Sequence, residues 1–245
     1  MEFLQFLSWA CIVFTVGMFS TGLFASRSFK SVCVCVCVRV CVRARARVRT
    51  DLKKMRASKS ADNIQFLPFL TTCLNNMGWL YYGILKTDGT LVLVNTIGAC
   101  LQSLYILCYC HYTNDKRRVT SQTLLAGGVV CGGWLYFSVV LPQGESQLAQ
   151  LGLTCSLFTI SMYLSPLADL MAIVRTGSVE RLSFSLAVAT FLTSTSWTLY
   201  GLQLQDYYIM VPNTPGIVTS LIRFFLFWRF ASVNQGVPSY KLIEI

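Results

Sequence analysis

Two asparagines and two tryptophans recur in this chain at one spacing. Trp79 precedes Asn95, and Trp197 precedes Asn213, by 16 residues in each case (95 − 79 and 213 − 197). An amide both donates and accepts hydrogen bonds, so two matched asparagines could hold the hydroxyl groups of a neutral solute from two sides. A flat indole suits the apolar C–H face of such a solute. Asparagines that join two helices, and tryptophans at a membrane interface, are the structural alternatives, and the spacing leaves both open.

Further polar residues flank each tryptophan. Asn75 and Thr193 lie one helical turn before the two tryptophans and are further candidate contacts for a solute. A tyrosine–glycine pair and then an aspartate follow each tryptophan: Tyr82, Gly83 and Asp88 in one copy, Tyr200, Gly201 and Asp206 in the other. Tyrosines in an interfacial belt beside ordinary loop acids would give the same pattern.

The composition is too apolar for a soluble domain of this length. Of 245 residues, 54% are hydrophobic and 12% charged, and the mean hydropathy is +0.57. Seven apolar stretches approach the roughly 20 residues that a bilayer core requires: Phe6–Ala25, Phe66–Leu85, Leu91–Cys110, Ser121–Leu141, Leu148–Ile173, Phe184–Leu202 and Tyr207–Phe230. The sequence therefore predicts an all-α membrane protein with seven transmembrane helices.

Basic residues predict the orientation. They cluster after spans 1, 3, 5 and 7, whereas the opposite loops offer only Lys86. The positive-inside rule then places the N-terminus outside and the C-terminus in the cytosol. We attribute the net charge of +10 to this topology and to a basic tract described below, and expect no nucleic-acid partner. The middles of the spans contain no Asp, Glu or Lys, which favours passive movement of an uncharged solute over ion-driven transport.

An internal repeat explains the paired residues. Residues 60–98 align without a gap on residues 178–216, at an offset of 118. A unit of three spans reverses orientation, so a single linker span between two units restores it. The sequence predicts two parallel three-helix bundles joined by a linker helix, a 3+1+3 plan. The predicted boundaries are 1–111 for the first bundle, 112–147 for the linker, 148–230 for the second bundle and 231–245 for a cytosolic tail.

A biased tract interrupts the first unit. FTVGMFSTGL (14–23) matches FTISMYLSPL (158–167) at an offset of 144, so 144 − 118 = 26 extra residues, 24–49, are predicted in the first cytosolic loop. They include VCVCVCVRVCVRARARVR (32–49), whose codons fit an alternating guanine–pyrimidine tract. A retained intron fragment or a gene-model error is the favoured interpretation, and a genuine loop the alternative. The spacing of the cysteines does not suit zinc, and we predict no metal site.

Four segments together resemble the animal SWEET sugar transporters: FLPFLTTCLNNMGWLYYGILKTDG, LVNTIG, MYLSPLADL and VPNTPGIVTSLIRFFLFW. The resemblance covers nearly everything except residues 24–49 and the last dozen. It implies two triple-helix bundles that carry mono- or disaccharides down a gradient by alternating access. It also implies roles for the paired residues: sugar binding by Asn95 and Asn213, pocket walls from Trp79 and Trp197, and an outer gate of Tyr82, Tyr200, Asp88 and Asp206.

Proline hinges are a further implication of the resemblance. The family typically has a proline in each of spans 1, 2, 5 and 6. This chain has Pro68 and Pro166, but Gly22 and Leu186 stand at the other two positions. We expect Pro68, Pro166 and Gly22 to act as hinges and do not extend that role to Leu186.

The sequence therefore favours facilitative transport (uniport) of glucose or another monosaccharide. We expect a neutral sugar and membrane lipid as partners, a homo-oligomer, no cofactor, and residence in the plasma membrane, the Golgi membrane or both. An enzyme is not expected, because the single histidine, His111, has no evident nucleophile or metal partner. The alternatives are a G-protein-coupled receptor, which would not repeat itself, an amino-acid transporter of the proline–glutamine-loop type, and an inactive isoform of the sugar transporter.

Overall fold

The structure is a computed structural model that describes residues 2–21, 66–176 and 184–234. Over these ranges the chain is helical and forms no strand, which confirms the predicted fold class. The helices are α1 Glu2–Thr21, α2 Leu67–Leu85, α3 Gly89–Tyr112, α4 Lys116–Leu135, α5 Glu145–Met162, α6 Leu164–Thr176, α7 Phe184–Gln203 and α8 Tyr207–Asn234. The predicted insertion (24–49), Gly22 and residues 235–245 of the predicted tail lie outside the described residues.

The outer surface of the helices suits a bilayer. Among the described helices, three stretches are each long and apolar enough to cross a membrane: Gly89–Tyr112, Lys116–Val140 and Tyr207–Phe230. The second of them is α4 extended by a π-helical turn, Tyr136–Val140. Leu124, Leu125 and Trp228 are 71%, 72% and 76% exposed, so large apolar side chains face outward, as an integral membrane protein requires. Helices α2 and α7 carry polar residues of the interior, among them Asn76 and Ser194, which are 4% and 3% exposed.

The predicted fifth span forms two helices instead of one. The break falls at Tyr163, whose N–H donates to the carbonyl of Ile160, three residues back, at 3.0 Å. Pro166 follows in the first turn of α6 and has no N–H, so residue 166 cannot bond to the carbonyl of Met162. The span therefore has a joint next to one of the predicted hinge prolines.

Two hairpins, α2–α3 and α7–α8, share the same connection. Thr87 and Gln205, 118 residues apart, both adopt a left-handed conformation with φ of 55° and 54°. The next residue in each connection is an aspartate, whose N–H bonds back to the glycine carbonyl five residues earlier, at 2.9 Å from Asp88 and 2.8 Å from Asp206. This pattern ends a helix and lets the aspartate begin the next one. We call the side of the molecule that carries these connections the gate end.

Two glycines let the hairpin helices approach closely. A Cβ added at Gly201 would lie 2.7 Å from the backbone nitrogen of Met210, and one added at Gly83 would lie 2.8 Å from the Cβ of Leu91. Both distances are below ordinary van der Waals contact. A side chain at either position would force its two helices apart.

The helix packing repeats itself with the sequence. In the first half, α3 packs on α1 and α2, and in the second half, α8 packs on α5 and α7. Between the halves, α1 packs on α7 and α5 packs on α2. The linker helix α4 lies against α2 and α3. This packing agrees with the 3+1+3 plan, and we call α1–α3 the first bundle and α5–α8 the second bundle.

Helix α8 continues through Pro212 and Pro215. Each proline removes the N–H that would bond to the carbonyl four residues earlier. Side-chain hydroxyls replace these donors, because Ser156 of α5 donates to the carbonyl of Tyr208 at 2.8 Å and Thr214 to that of Val211 at 2.8 Å. The helix therefore keeps its backbone satisfied, in part through a bond to its neighbour α5.

Candidate solute-binding site

A cavity of about 380 Å³ lies between the two bundles. All six residues predicted to contact a solute line it: Asn75, Trp79, Asn95, Thr193, Trp197 and Asn213. Three come from the first bundle and three from the second. The structure therefore brings the matched residues of the two repeats together around one space.

The two asparagines have equivalent surroundings. Asn95 Nδ2 donates to the carbonyl of Leu91 at 2.8 Å, and Asn213 Nδ2 donates to that of Ile209 at 2.7 Å. Each amide is thus anchored to its own helix by one N–H, and an amide carries a second N–H and an accepting oxygen. Both asparagines face the shared cavity, as sugar binding by the pair would require.

Each tryptophan is fixed by the opposite bundle. Trp79 Nε1 donates to Thr159 Oγ1 at 2.9 Å, and Trp197 Nε1 donates to Thr15 Oγ1 at 2.7 Å. Both indoles are 7% exposed, so neither lies in an interfacial belt. In contrast, Trp134 and Trp228 are 56% and 76% exposed, as expected for tryptophans at the membrane surface.

The sequence repeat relates Thr15 to Thr159 but does not predict that they bond to the tryptophans. Thr15 and Thr159 occupy equivalent positions in the 144-residue match between spans 1 and 5. No property of either threonine indicated that its partner is an indole 182 or 80 residues away. Thr159 Oγ1 also lies 2.8 Å from Asn75 Oδ1, which ties a second predicted contact residue into the same network.

The predicted gate residues meet at the gate end and join the two bundles. The Tyr82 hydroxyl donates to Asp206 Oδ2 at 2.8 Å, and the Tyr200 hydroxyl lies 3.0 Å from both carboxylate oxygens of Asp88. Lys86 adds an ion pair with Asp206. Tyr82 is 1% exposed and Tyr200 5%. The Tyr82–Asp206 bond is buried, and the bonds of Asp88 and Lys86 are partly buried. These bonds join the two bundles at the gate end.

Of the two predicted hinge prolines, Pro166 adjoins a helix break and Pro68 does not. Pro68 lies in the first turn of α2, where a proline interrupts no hydrogen bond of its helix. The expected break of the helical ladder is therefore not found at Pro68, and any hinge there would lie between α2 and the residues before it. Pro166 adjoins the joint at Tyr163. Leu186 lines the cavity.

Among the described residues that line the cavity, only Arg223 carries a charge. It lies in α8, ten residues beyond Asn213, or roughly 15 Å along a helix that rises about 1.5 Å per residue. Arginine keeps its proton in proteins and so cannot exchange one with a transported solute. The cavity otherwise presents asparagine, threonine, serine and tyrosine groups among apolar side chains.

These features define a class of protein. A helical membrane protein with two equivalent bundles and a polar cavity between them has the architecture of a transporter built from parallel repeats, an arrangement for which SWEETs are a general example.

Comparisons with known proteins identify the family. A family profile described as "Sugar efflux transporter for intercellular exchange" matches residues 29–117 and 149–235. The sugar transporter SWEET1 of Danio rerio is 67% identical over 245 residues, which is 100% of both chains. SWEET1 of Homo sapiens is 53% identical over 221 residues, covering 90% of this chain and 88% of that one. The chain belongs to the MtN3/SWEET family, whose members are sugar transporters and not enzymes.

A solved structure shows the same fold. A eukaryotic SWEET transporter matches with a TM-score of 0.73 and 26% sequence identity, over 93% of this chain and 99% of that chain. The resemblance inferred from the sequence is therefore confirmed. Membership of this family also excludes the two alternatives of a G-protein-coupled receptor and an enzyme.

The profile match follows the internal repeat. Its two segments end 235 − 117 = 118 residues apart, the offset found in the sequence. The second segment begins within α5, whereas the first begins at residue 29, inside the predicted insertion, and leaves α1 outside. If the insertion separates α1 from the rest of its unit, the profile is expected to match the second unit from α5 onward but to omit α1 from the first.

Proposed function

We propose that the chain is a facilitative carrier of a neutral monosaccharide, with glucose as the first candidate substrate. The observation that carries the proposal is the cavity itself. Two equivalent bundles contribute matching amide and indole groups to one space, and hydrogen bonds join the bundles at the gate end. Its volume of about 380 Å³ falls within the range of about 300–1,000 Å³ that is usual for small-molecule sites.

In this proposal the lining residues divide the recognition of the sugar. Asn95 and Asn213 bond to hydroxyl groups on opposite sides of the ring, since an amide can meet either a donor or an acceptor. Trp79 and Trp197 cover the apolar C–H faces. Asn75 and Thr193 supply further polar contacts.

Transport requires the gate end to open and the opposite end to close. Opening would break the two tyrosine–aspartate bonds and the Lys86–Asp206 ion pair. Hydrogen bonds to charged groups each contribute only about 1.5–3 kcal/mol in net terms, so thermal interconversion of the two forms is feasible. Pro166, beside the joint at Tyr163, is the proposed hinge of the second bundle, and Pro68 and Gly22 are the proposed hinges of the first.

A passive mechanism fits the groups that line the cavity. No carboxylate or histidine is among its described lining residues, and Arg223 retains its proton. Carriers driven by protons or sodium usually need an intramembrane group that can bind the ion. We therefore propose uniport.

Orientation, boundaries and location complete the proposal. The N-terminal half of α1 lies at the gate end, where Ser8 bonds to Thr90 at 2.6 Å between their hydroxyl oxygens. With the N-terminus outside and the C-terminus cytosolic, the closed gate faces the exterior or the Golgi lumen. We propose that the two bundles and the linker have the boundaries predicted from the sequence. We also propose that the protein is a homo-oligomer and resides in the plasma membrane, the Golgi membrane or both.

Uptake of radiolabelled glucose by cells that lack hexose carriers tests the proposal. Wild-type chain should equilibrate glucose across the membrane, and Trp197→Ala and Asn213→Ala should each reduce uptake at least tenfold, because each removes a wall or a hydrogen-bonding group of the cavity. Trp228→Ala is the matched control, since Trp228 lies in α8 with Asn213 but is 76% exposed.

Two results would contradict the proposal in different ways. Equal uptake by the wild type and both cavity variants would refute the assignment of the site. Accumulation of glucose above its external concentration when a proton gradient is imposed would refute uniport.

A further inference from the structure

Two uncharged cavity side chains hold buried polar atoms without a hydrogen-bond partner among the described residues: Nδ2 of Asn76 and Oγ1 of Thr193. Asn76 is 4% exposed and Thr193 is 5% exposed. Burying a donor or an acceptor without a partner lowers the stability of a fold. Native proteins keep few such groups, and a ligand that supplies the partner is one reason to keep them.

The two atoms belong to residues that are not equivalent in the repeat, and we call Asn76 and Thr193 the diagonal pair. Asn75 and Asn76 of the first bundle correspond to Thr193 and Ser194 of the second at the offset of 118. Asn75 Oδ1 accepts from the Thr159 hydroxyl at 2.8 Å, and Ser194 bonds to the phenol of Tyr163. Asn75 in the first bundle and Ser194 in the second therefore each bond to another protein group. The remaining members, Asn76 and Thr193, line the cavity from opposite bundles, with their unpartnered atoms buried in its wall.

A glycine makes room for the amide of Asn76. A Cβ added at Gly98 would lie 2.6 Å from Asn76 Nδ2, so the amide packs directly on the backbone of α3. Gly216 stands at the equivalent position of α8, against Ser194. The first bundle therefore places an amide where the second places a hydroxyl–phenol pair, and the cavity has two chemically different sides.

We propose that Asn76 is a sugar-binding residue, and that Asn76 and Thr193 together form an asymmetric pair that receives two hydroxyl groups of the carried sugar. This proposal rests on the proposed function. A sugar hydroxyl both donates and accepts, so one hydroxyl can accept from the Asn76 amide and another can bond to the Thr193 hydroxyl. The matched asparagines then hold the ring symmetrically, and the diagonal pair fixes which way round the ring lies.

Stability and transport should respond in opposite directions to Asn76→Leu and Thr193→Val. Both substitutions keep the approximate shape and remove the unpartnered group, so the melting temperature without sugar should rise by about 2–4 °C. The apparent KM for glucose uptake should increase about three- to tenfold, because a hydrogen bond to the sugar is lost. A purely structural role predicts a lower melting temperature and an unchanged KM.

Asn75→Leu and Ser194→Ala are the matched controls for stability. Asn75 Oδ1 and the Ser194 hydroxyl already have protein partners, so both variants should lower the melting temperature. If Asn76→Leu or Thr193→Val lowers it too, or if Asn76→Leu fails to fold, the proposal is contradicted. A wild type that transports, with an unchanged KM in both variants, would overturn this inference alone. A wild type that transports no sugar would overturn the proposed function, and this inference with it.

Discussion

The two gate aspartates each perform two tasks. Asp88 accepts from the backbone N–H groups of Thr90 and Leu91 at the start of α3, and also meets the Tyr200 hydroxyl. Asp206 accepts from Tyr208 and Ile209 at the start of α8 and from Tyr82 across the bundles. One carboxylate thus begins a helix and joins the two bundles, so the tyrosine meets an acceptor whose position is fixed by the backbone.

Asp206→Ala should lower the stability of the protein more than Asp88→Ala. Asp88→Ala removes a helix cap and one tyrosine bond, about 2 kcal/mol. Asp206 is 5% exposed and also pairs with Lys86, whose side chain is 25% exposed. Loss of its carboxylate leaves a largely buried cation, which costs about 3–4 kcal/mol in total. Thermal unfolding of both variants in one detergent checks the order, and equal losses would contradict it.

Residues that the repeat conserves could be predicted, and residues that break it could not. Trp79, Trp197, Asn95 and Asn213 are identical at the offset of 118, and the structure places all four around one cavity. Asn76 faces the same cavity, but its counterpart is a serine, so a search for matching residues passes over it. Its importance depends on which neighbours supply hydrogen bonds, and that requires coordinates.

At the scale of the element, the hairpins depend on glycine more than on apolar area. The backbone of Gly201 meets the backbone of α8 so closely that no Cβ fits between them. The same arrangement at Gly83 keeps α2 and α3 in contact beside Tyr82. The tyrosines can reach the opposite bundle because the glycines next to them hold each hairpin closed.

Gly201→Ala should destabilise the protein by about 1–3 kcal/mol, the usual cost of overpacking. Its Cβ would lie 2.7 Å from Met210 N and 3.0 Å from the carbonyl oxygen of Asp206, so α7 and α8 must separate. Gly128→Ala in α4 is the control, since a Cβ there meets nothing within 4 Å. It should raise stability by up to about 1 kcal/mol through helix propensity. Unfolding curves that shift equally in the two variants would contradict this explanation.

Hydropathy predicted that the helices exist, but it missed one internal break. Leu148–Ile173 reads as one apolar span, yet the helix is interrupted at Tyr163. Pro166 was the available signal, because a proline removes the bond to the carbonyl four residues before it. Pro166 alters backbone hydrogen bonding in the preceding turn, and a hydropathy scale does not measure backbone hydrogen bonds.

For the whole molecule, the repeat is visible in sequence, in packing and in hydrogen bonds. Among the hydrogen bonds between the bundles, four form two equivalent pairs, one pair of tryptophan–threonine bonds and one of tyrosine–aspartate bonds. The predicted insertion 24–49 has no counterpart in the second unit of the sequence repeat. The paired bonds between the bundles join residues outside it.

Deletion of residues 24–49 should leave folding and transport nearly unchanged. Lengthening a connecting loop about fivefold costs about 1.4 kcal/mol of closure entropy, which a membrane core of this size tolerates. Melting temperature and glucose uptake of the deletion variant and the full chain check this expectation. A deletion variant that folds while the full chain does not would contradict it. Reading the messenger RNA between the codons for Leu23 and Asp51 would show whether the segment is spliced into the transcript.

The bond from Ser156 to the carbonyl of Tyr208 has a mechanical consequence. The donor that Pro212 removes from α8 is supplied by α5, so sliding one helix along the other would leave a peptide carbonyl of α8 without a partner. An unpaired carbonyl costs several kcal/mol in hydrocarbon. The bond therefore opposes sliding between α5 and α8, and we expect any relative motion of the bundles to occur at the seam between them and at the joint before α6.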